Sequence, residues 1–397
     1  MSDQVRIGPI LAIFAALFFV TGLVASQNEL LNPLFKNVFS LKYAEAALIQ
    51  FVYFGVYVLL AIPMGKLAIR FGYKRCLQLA LLASGIGALL FFAASQVGVF
   101  SLFLVGVMVM AMGNATIIIL GNPYIALISP PEKTAPRLNV VNGFYMVGTT
   151  TGPFLGGLLY VEQVKLDGIG ALGLPYILLG GLLVFATFLF VKAPLPSIRE
   201  KQLADDEVGA KPLRLLSDTR LMLGILAMFV YVGAEIGAAS KIVDWLGQPE
   251  IMNLTAVEAG RYLTLYWGLT MVLRFTSVAL MKFIKPVNIL IFNALFGVAC
   301  VVIACVMTGF PAGIAIVLLG AANAVMFPTI FALSTSHLGS HTQKGGSYVL
   351  MAVAGGAFIP LIIGALTDWQ GLRAGISFLI FCYGIIAVFG LFVKKAD

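Results

Sequence analysis

The sequence predicts an all-α membrane protein of twelve transmembrane helices arranged as two six-helix halves. Three observations carry that expectation: the composition, the spacing of long apolar runs, and one central polar stretch. Of the 397 residues, 60% are hydrophobic and 11% are charged, with a mean hydropathy of +1.02. A water-facing domain keeps roughly a quarter of its residues charged. About twenty apolar residues cross a bilayer as helix, and runs of that length recur along the chain. The 42 glycines would weaken a soluble helical protein, but in a bilayer they let helix backbones approach closely.

The runs fall at 7–34, 46–65, 76–96, 101–128, 139–160 and 175–192, then at 221–246, 260–281, 287–308, 313–335, 346–367 and 375–393. The first is too long for a cleaved signal peptide and is expected to remain as the first span. Between the sixth and seventh lies the long polar stretch, with Pro194, Pro196 and Pro212 and a mixed charge run from Arg199 to Glu207. It reads as a linker over 193–220 joining an N-terminal half, 1–192, to a C-terminal half, 221–397.

Charge placement sets the expected orientation. With both termini inside, the cytoplasmic segments hold 18 of the 25 Lys and Arg, among them Lys66, Arg70, Lys74, Arg75, Lys133, Arg137, Lys282, Lys285, Lys394 and Lys395. The outer loops hold Lys36, Lys42, Lys165, Arg261 and Arg373. This asymmetry places both ends in the cytoplasm. The same placement argues against nucleic acid as a partner, because the net charge of +8 is spread over short loops rather than gathered on one face.

Other functions are disfavoured by residue type. No Gly-Lys-Ser/Thr phosphate loop is present, so the energy for any work must come from a gradient. Cys76, Cys300, Cys305 and Cys382 lie in apolar stretches without metal-ligand spacing and read as small buried hydrophobes. His337 and His341 have no neighbouring Cys or carboxylate in sequence. Neither a metal, a cofactor nor an enzymatic activity is expected.

The halves look like repeats. Span 5 carries Gly148-Thr-Thr-Thr-Gly152-Pro153 and span 11 carries Gly355-Gly356 followed by Pro360; span 4 has Asn122-Pro123 and span 10 has Phe327-Pro328 at similar depth. Repeated halves are typical of carriers whose substrate site lies between them, although Gly and Pro also recur by chance in membrane helices.

Ionisable groups inside a bilayer cost about 2.5–3.5 kcal/mol each on insertion scales and so call for a partner or a role. Ser26, Glu29 and Pro33 share one face of span 1, with Asn28 and Asn32 on a neighbouring face. Glu29 suits proton uptake and release, or is a helix-end glutamate wetted from outside. In span 7, Tyr231 and Glu235 stand one turn apart, as a functional pair or as inter-helix hydrogen-bond partners. Lys241 and Asp244, spaced i, i+3, are expected to pair at the outer interface. Asn114, Ile118 and Asn122 align on span 4, Asn142, Tyr145 and Thr149 on span 5, and Trp267, Thr270 and Arg274 on span 8, while span 10 offers Asn323. Amides, hydroxyls and aromatic faces suit a polyol, although single asparagines between membrane helices are often only adhesive.

Eight segments then carry a resemblance, one to a superfamily and seven to a family within it. Gly65-Lys-Leu-Ala-Ile-Arg70-Phe-Gly72-Tyr-Lys-Arg75 resembles the loop 2–3 signature of the major facilitator superfamily, with Ile69 at its usual acidic position. Gln27–Pro33, Leu48–Gly55, Gly121-Asn-Pro-Tyr124, Arg137–Phe144, Tyr231-Val-Gly-Ala-Glu235, Glu258–Gly268 and Phe327–Leu333 together resemble the fucose/glucose/galactose–proton symporter family from end to end.

That resemblance implies a monomeric sugar importer that works by proton-coupled alternating access, with Glu29 at the position tied to coupling. Asn28, Asn122, Asn142, Tyr145, Tyr231, Glu235, Trp267 and Asn323 are the expected substrate-binding residues. Gly65, Arg70, Lys74 and Arg75 belong to an inner gate or simply to topology. The family's polar or acidic span 4 position is Ile118 here, and its span 5 Gln and Asn are replaced by Asn142 and Tyr145. A facilitator, a sodium-coupled carrier and an exporter of another small solute on the same fold therefore stay open.

Overall fold

A computed structural model of the protein describes residues 7–40, 43–156, 164, 168–193, 195 and 215–396. They form α1 (Ile7–Val38), α2 (Tyr43–Phe71), α3 (Tyr73–Val97), α4 (Phe100–Leu127), α5 (Pro131–Gly156) and α6 (Gly173–Phe190), then α7 (Thr219–Leu246), α8 (Ala256–Leu280) and α9 (Pro286–Val306). These are followed by α10 (Gly309–Asn323), α11 (Met326–Thr335), α12 (Thr342–Met351), α13 (Gly355–Gln370) and α14 (Leu372–Ala396). Most of the segment read as a linker, 193–220, lies outside the described residues.

The helices are long because their sequences are apolar without interruption, so in lipid every backbone group must be satisfied within its own helix. Among the described residues, eleven segments are long and apolar enough to cross a membrane. Helix α5 is not among them, since it carries Glu132, Lys133, Arg137, Asn139, Asn142 and three consecutive threonines. Two short connections depend on glycine. Gly72, between α2 and α3, has φ of +85°, and Gly98 closes α3 in the left-handed region at φ of +70° with its N–H on the Ala94 carbonyl.

Two spans predicted as single helices are broken. The tenth consists of α10 and α11, separated by a turn at Ala324 and Val325. The eleventh consists of α12, a 3-10 turn at Ala352–Ala354, and α13. Proline alone does not cause this, because Pro63 and Pro123 lie inside the continuous helices α2 and α4.

The chain forms two compact units: Met1–Ile125 with Phe144–Lys211, and Ala126–Gly143 with Pro212–Asp397. In the first unit, glycines bring helix backbones together. A Cβ on Gly22 would run into the Tyr145 carbonyl, and one on Gly148 into the Phe19 carbonyl, so α1 and the second half of α5 touch backbone to backbone. Gly87 of α3 does the same against the Met110 backbone of α4, and Gly113 of α4 against Ser84 and the Ala80 carbonyl of α3. In the second unit, Gly355 meets the Phe229 carbonyl and Gly233 meets Ile359, which seats α13 on α7, and Gly320 on α10 meets the Tyr266 carbonyl of α8. Without a hydrophobic drive between lipid-embedded helices, such close packing is what holds them together.

The cysteines follow the expectation for Cys76, Cys300 and Cys382, which are buried and free, whereas Cys305 is half-buried with its thiol toward the Arg373 carbonyl. Lys241 and Asp244 pair at 3.7 Å, as their spacing predicts. His337, which has no carboxylate near it in sequence, meets one in the fold: its Nε2 lies 2.9 Å from Asp218 Oδ2, 119 positions away.

Candidate functional site

The richest buried polar cluster of the second unit forms around the break between α10 and α11. On α7, Tyr231 and Glu235 are one turn apart, and the Tyr231 hydroxyl donates to Glu235 Oε1 at 2.7 Å. On α8, the Tyr266 hydroxyl donates to the Glu235 backbone carbonyl at 3.0 Å. Asn323, the last residue of α10, links the rest: its Nδ2 donates to the Tyr266 hydroxyl at 2.7 Å, and its Oδ1 accepts from the Tyr383 hydroxyl of α14 at 2.9 Å. Four helices thus meet through one amide and three phenols.

The break itself has a partner. Helix α10 ends at Asn323, and Pro328, four positions after Ala324, has no N–H to give to the Ala324 carbonyl. The Nε of Arg274, from α8, donates to the Ala324 carbonyl, and Thr270, one turn before it, donates to the Gly320 carbonyl at 2.8 Å. One Nη of Arg274 reaches the Asn142 carbonyl of α5 at 3.5 Å. Its other Nη has no hydrogen-bond partner although the side chain is 2% exposed. Arg274 also acts through space on Glu235.

Of the sequence-predicted residues, the fold therefore gathers Tyr231, Glu235 and Asn323 directly, and brings Asn142 in through its carbonyl. Trp267 stands beside them, half-buried, with its ring edge-on to Tyr266 at 5.1 Å. The Asn142 side chain donates back to the Leu138 carbonyl at 2.9 Å. Tyr266 and Tyr383 went unremarked in the sequence reading, and Arg274 was given no role. Their signal was position: tyrosines usually mark the membrane interfaces, whereas these two stand well inside their spans.

The first unit holds a second polar patch. Ser84 of α3 donates to Asn114 Oδ1 of α4 at 3.2 Å. Tyr53 adjoins Asn114 and Tyr57, and Tyr57 in turn acts on Tyr145 of α5. Asn122 is fully buried and donates to the Ile118 carbonyl at 3.1 Å, which places its amide in the turn before Pro123. The α1 backbone runs helically through Asn28 and Glu29, whose side chains lie outside the described residues.

The basic segment is partly occupied in structure. Lys74 Nζ donates to the Ala193 carbonyl at 2.8 Å, tying the start of α3 to the chain just after α6. Arg70 is exposed and lies over the neighbouring Phe71 ring, Arg75 is exposed, and Gly65 is buried in α2. Among the described residues, no group of three or more His, Cys, Asp or Glu is placed to hold a metal ion.

The sequence profile of the Major Facilitator Superfamily matches residues 13–347. The chain belongs to that superfamily. Within it, the chain is 34% identical over 401 residues to a glucose/galactose transporter of Brucella abortus (strain 2308), covering 100% of this chain and 96% of that protein. It is 26% identical to the L-fucose-proton symporter of Escherichia coli (strain K12), covering 96% of this chain and 92% of the symporter. The crystal structure of the Major Facilitator Superfamily transporter FucP in the outward conformation superposes with a TM-score of 0.86 at 26% identity, covering 96% and 98% of the two chains. As a Major Facilitator Superfamily protein, the chain is a multi-pass membrane transporter and not an enzyme.

Proposed function

We propose that this chain imports a hexose of the glucose, galactose or fucose kind, coupled to the inward flow of protons. The observation that carries the reading is its 34% identity, over its whole length, to a protein named as a glucose/galactose transporter. Proton coupling is supported by the two relatives named as L-fucose-proton symporters, at 27% and 26% identity. The described polar cluster is compatible with such a cargo, since amide, phenol and indole groups can hydrogen-bond ring hydroxyls and stack on the apolar face of a sugar.

In this reading twelve spans form two halves, 1–192 and 221–397, joined by a cytoplasmic linker, in a bacterial inner membrane with both termini inside. The repeated use of glycine supports it: Gly22 and Gly148 join the first and fifth spans, as Gly233 and Gly355 join the seventh and eleventh. The broken tenth and eleventh spans also suit a carrier, because such folds build substrate sites from discontinuous helices. Glu29 is the proton-coupled group. Asn28, Asn122, Asn142, Tyr145, Tyr231, Glu235, Trp267 and Asn323 hold the sugar, while Gly65, Arg70, Lys74 and Arg75 serve the inner gate. The working unit is a monomer.

A facilitator or sodium-coupled carrier is the second reading, favoured by one observation. The span 4 position that the resemblance makes polar or acidic is Ile118, a buried hydrophobe. The experiment is uptake of labelled glucose into liposomes holding the purified protein, with an inward proton gradient, with and without an uncoupler. Accumulation that collapses with the uncoupler supports the symporter. Uptake that merely equilibrates selects the facilitator, accumulation that needs sodium selects the sodium carrier, and no uptake with no competition by galactose or fucose overturns the hexose reading.

A further inference from the structure

We infer that Glu235 is a second proton-carrying carboxylate of the transport cycle, with Arg274 as the residue that links its charge state to the break in the tenth span; the inference rests on the proton-coupled reading above and places part of the coupling in the C-terminal unit. Tyr231 donates to Glu235 Oε1 at 2.7 Å, Tyr266 to the Glu235 main-chain carbonyl at 3.0 Å, and Tyr383 reaches the same network through Asn323 at 2.9 Å. From α13, which is seated on α7, the neighbours one turn apart along Gly233 and Gly237 are Ile359 and Ile363, which carry no charge. The groups that act electrostatically on Glu235 are thus Arg274 and the phenols of Tyr231, Tyr266 and Tyr383.

Such a site has two stable charge states. With the carboxylate ionised, Arg274 balances it, and the buried charges compensate each other. With the carboxylate protonated, the acid offers a donor as well as acceptors, and Tyr231 can turn its hydroxyl toward the main-chain oxygen of Asn323, already 3.5 Å away. Arg274 is then a cation of this cluster without a counter-charge, held by the carbonyls of Ala324 and Asn142. Because Ala324 lies in the turn that separates α10 from α11, a change in Arg274's balance acts directly on that turn. A purely adhesive polar cluster needs neither a carboxylate nor a guanidinium, since amides and hydroxyls satisfy each other at lower desolvation cost. With hydrophobic Ile118 in the fourth span, Glu235 supplies a buried acid on another span.

The test uses the full-length protein in liposomes and compares the wild type, Glu29→Gln, Glu235→Gln and Arg274→Lys. Three readouts are taken: glucose accumulation under an inward gradient of one pH unit, exchange of labelled for unlabelled glucose without a gradient, and glucose binding as a function of pH. One proton per sugar accumulates glucose by about tenfold for each unit of pH. The expected result for Glu235→Gln is accumulation reduced to equilibrium, exchange that persists at a lower rate, and glucose binding that has lost its dependence on pH. Arg274→Lys should keep binding but displace its pH profile, which a merely structural role would not do. If wild type accumulates and Glu235→Gln accumulates equally, the inference is overturned. It is also overturned if Glu235→Gln loses binding and exchange together at every pH, since the residue then only holds sugar. If wild type itself never accumulates glucose, the proton-coupled reading fails and takes this inference with it. Should Glu235→Gln not fold, the Glu235→Gln/Arg274→Gln double variant, which leaves no unbalanced buried charge, carries the same readouts.

Discussion

The Tyr383 hydroxyl donates to the Asn323 side-chain oxygen at 2.9 Å, joining the last helix to the break in the tenth span across 60 positions of sequence. The same amide gives its nitrogen to Tyr266 at 2.7 Å, so one side chain serves two buried phenols. Breaking it should therefore cost more than removing the Tyr383 hydroxyl. Asn323→Ala removes two buried hydrogen bonds, leaving the Tyr266 hydroxyl its bond to the Glu235 carbonyl, whereas Tyr383→Phe removes one, at about 1 kcal/mol for each bond and more where a buried group is left unsatisfied. Thermal unfolding of the purified variants in detergent should rank Asn323→Ala as the less stable. Equal melting temperatures would mean that the amide is not the shared partner.

Helix contacts in the first unit predict which glycines tolerate a methyl group. Gly22→Ala forces a Cβ into the Tyr145 carbonyl, and Gly148→Ala into that of Phe19, where no flexible side chain can yield. Overpacking of this kind costs about 1–3 kcal/mol. Gly181, with nothing within 4 Å of its would-be Cβ, is the control. Gly181→Ala should be neutral or slightly stabilising, because alanine is the better helix former. Folded yield and melting temperature of the three variants check the ranking.

Outside the membrane spans, Asp218 caps α7 by accepting from the Leu221 N–H at 2.8 Å and faces His337 at 2.9 Å. Partial burial by itself pushes its carboxyl up, but the Leu221 N–H and His337 outweigh that and hold it below the usual carboxylate range. A depressed folded-state value means stability that is present above the ordinary Asp range and is lost as pH falls through the folded value. Melting temperature measured from neutral pH down through the carboxylate range should thus fall more steeply for wild type than for Asp218→Asn, which keeps a capping oxygen without the charge. Asp218→Ala should lose about 1 kcal/mol at neutral pH with the cap. Parallel curves for wild type and Asp218→Asn would remove the charge from the account.

At the other end of the proposed coupling machinery, Glu29→Gln should abolish accumulation of glucose while leaving exchange measurable. A carboxylate that moves protons is dispensable for exchange and required for concentration. Retained accumulation in this variant would assign coupling to another group.

The helical membrane fold was legible because it follows from local composition: long apolar runs can satisfy their backbone in lipid only as helices. The same logic read the Lys241–Asp244 pair from i, i+3 spacing alone. It also marked Tyr231, Glu235 and Asn323, since a polar group within an apolar run stands out wherever the chain carries it. The logic stopped at Tyr266 and Tyr383. An aromatic residue in a span looks like packing until a partner from another helix reaches its hydroxyl. Arg274 was visible as an intramembrane cation, but its role was not, because the carbonyl it holds belongs to a residue 50 positions away.

The breaks divide the two kinds of information most clearly. Asn122-Pro123 and Phe327-Pro328 look alike in sequence, yet α4 runs through its proline, while the tenth span comes apart just before its own. The sequence by itself determined that the chain is a bundle of membrane-crossing helices with polar groups at particular depths, because apolar length and periodicity are properties of one segment at a time. Only the tertiary structure decided where a helix comes apart and which side chains receive the released carbonyls. An unwound turn in lipid is tolerable only where a donor such as Arg274 arrives from a neighbouring helix, and that meeting is a property of the packed chain.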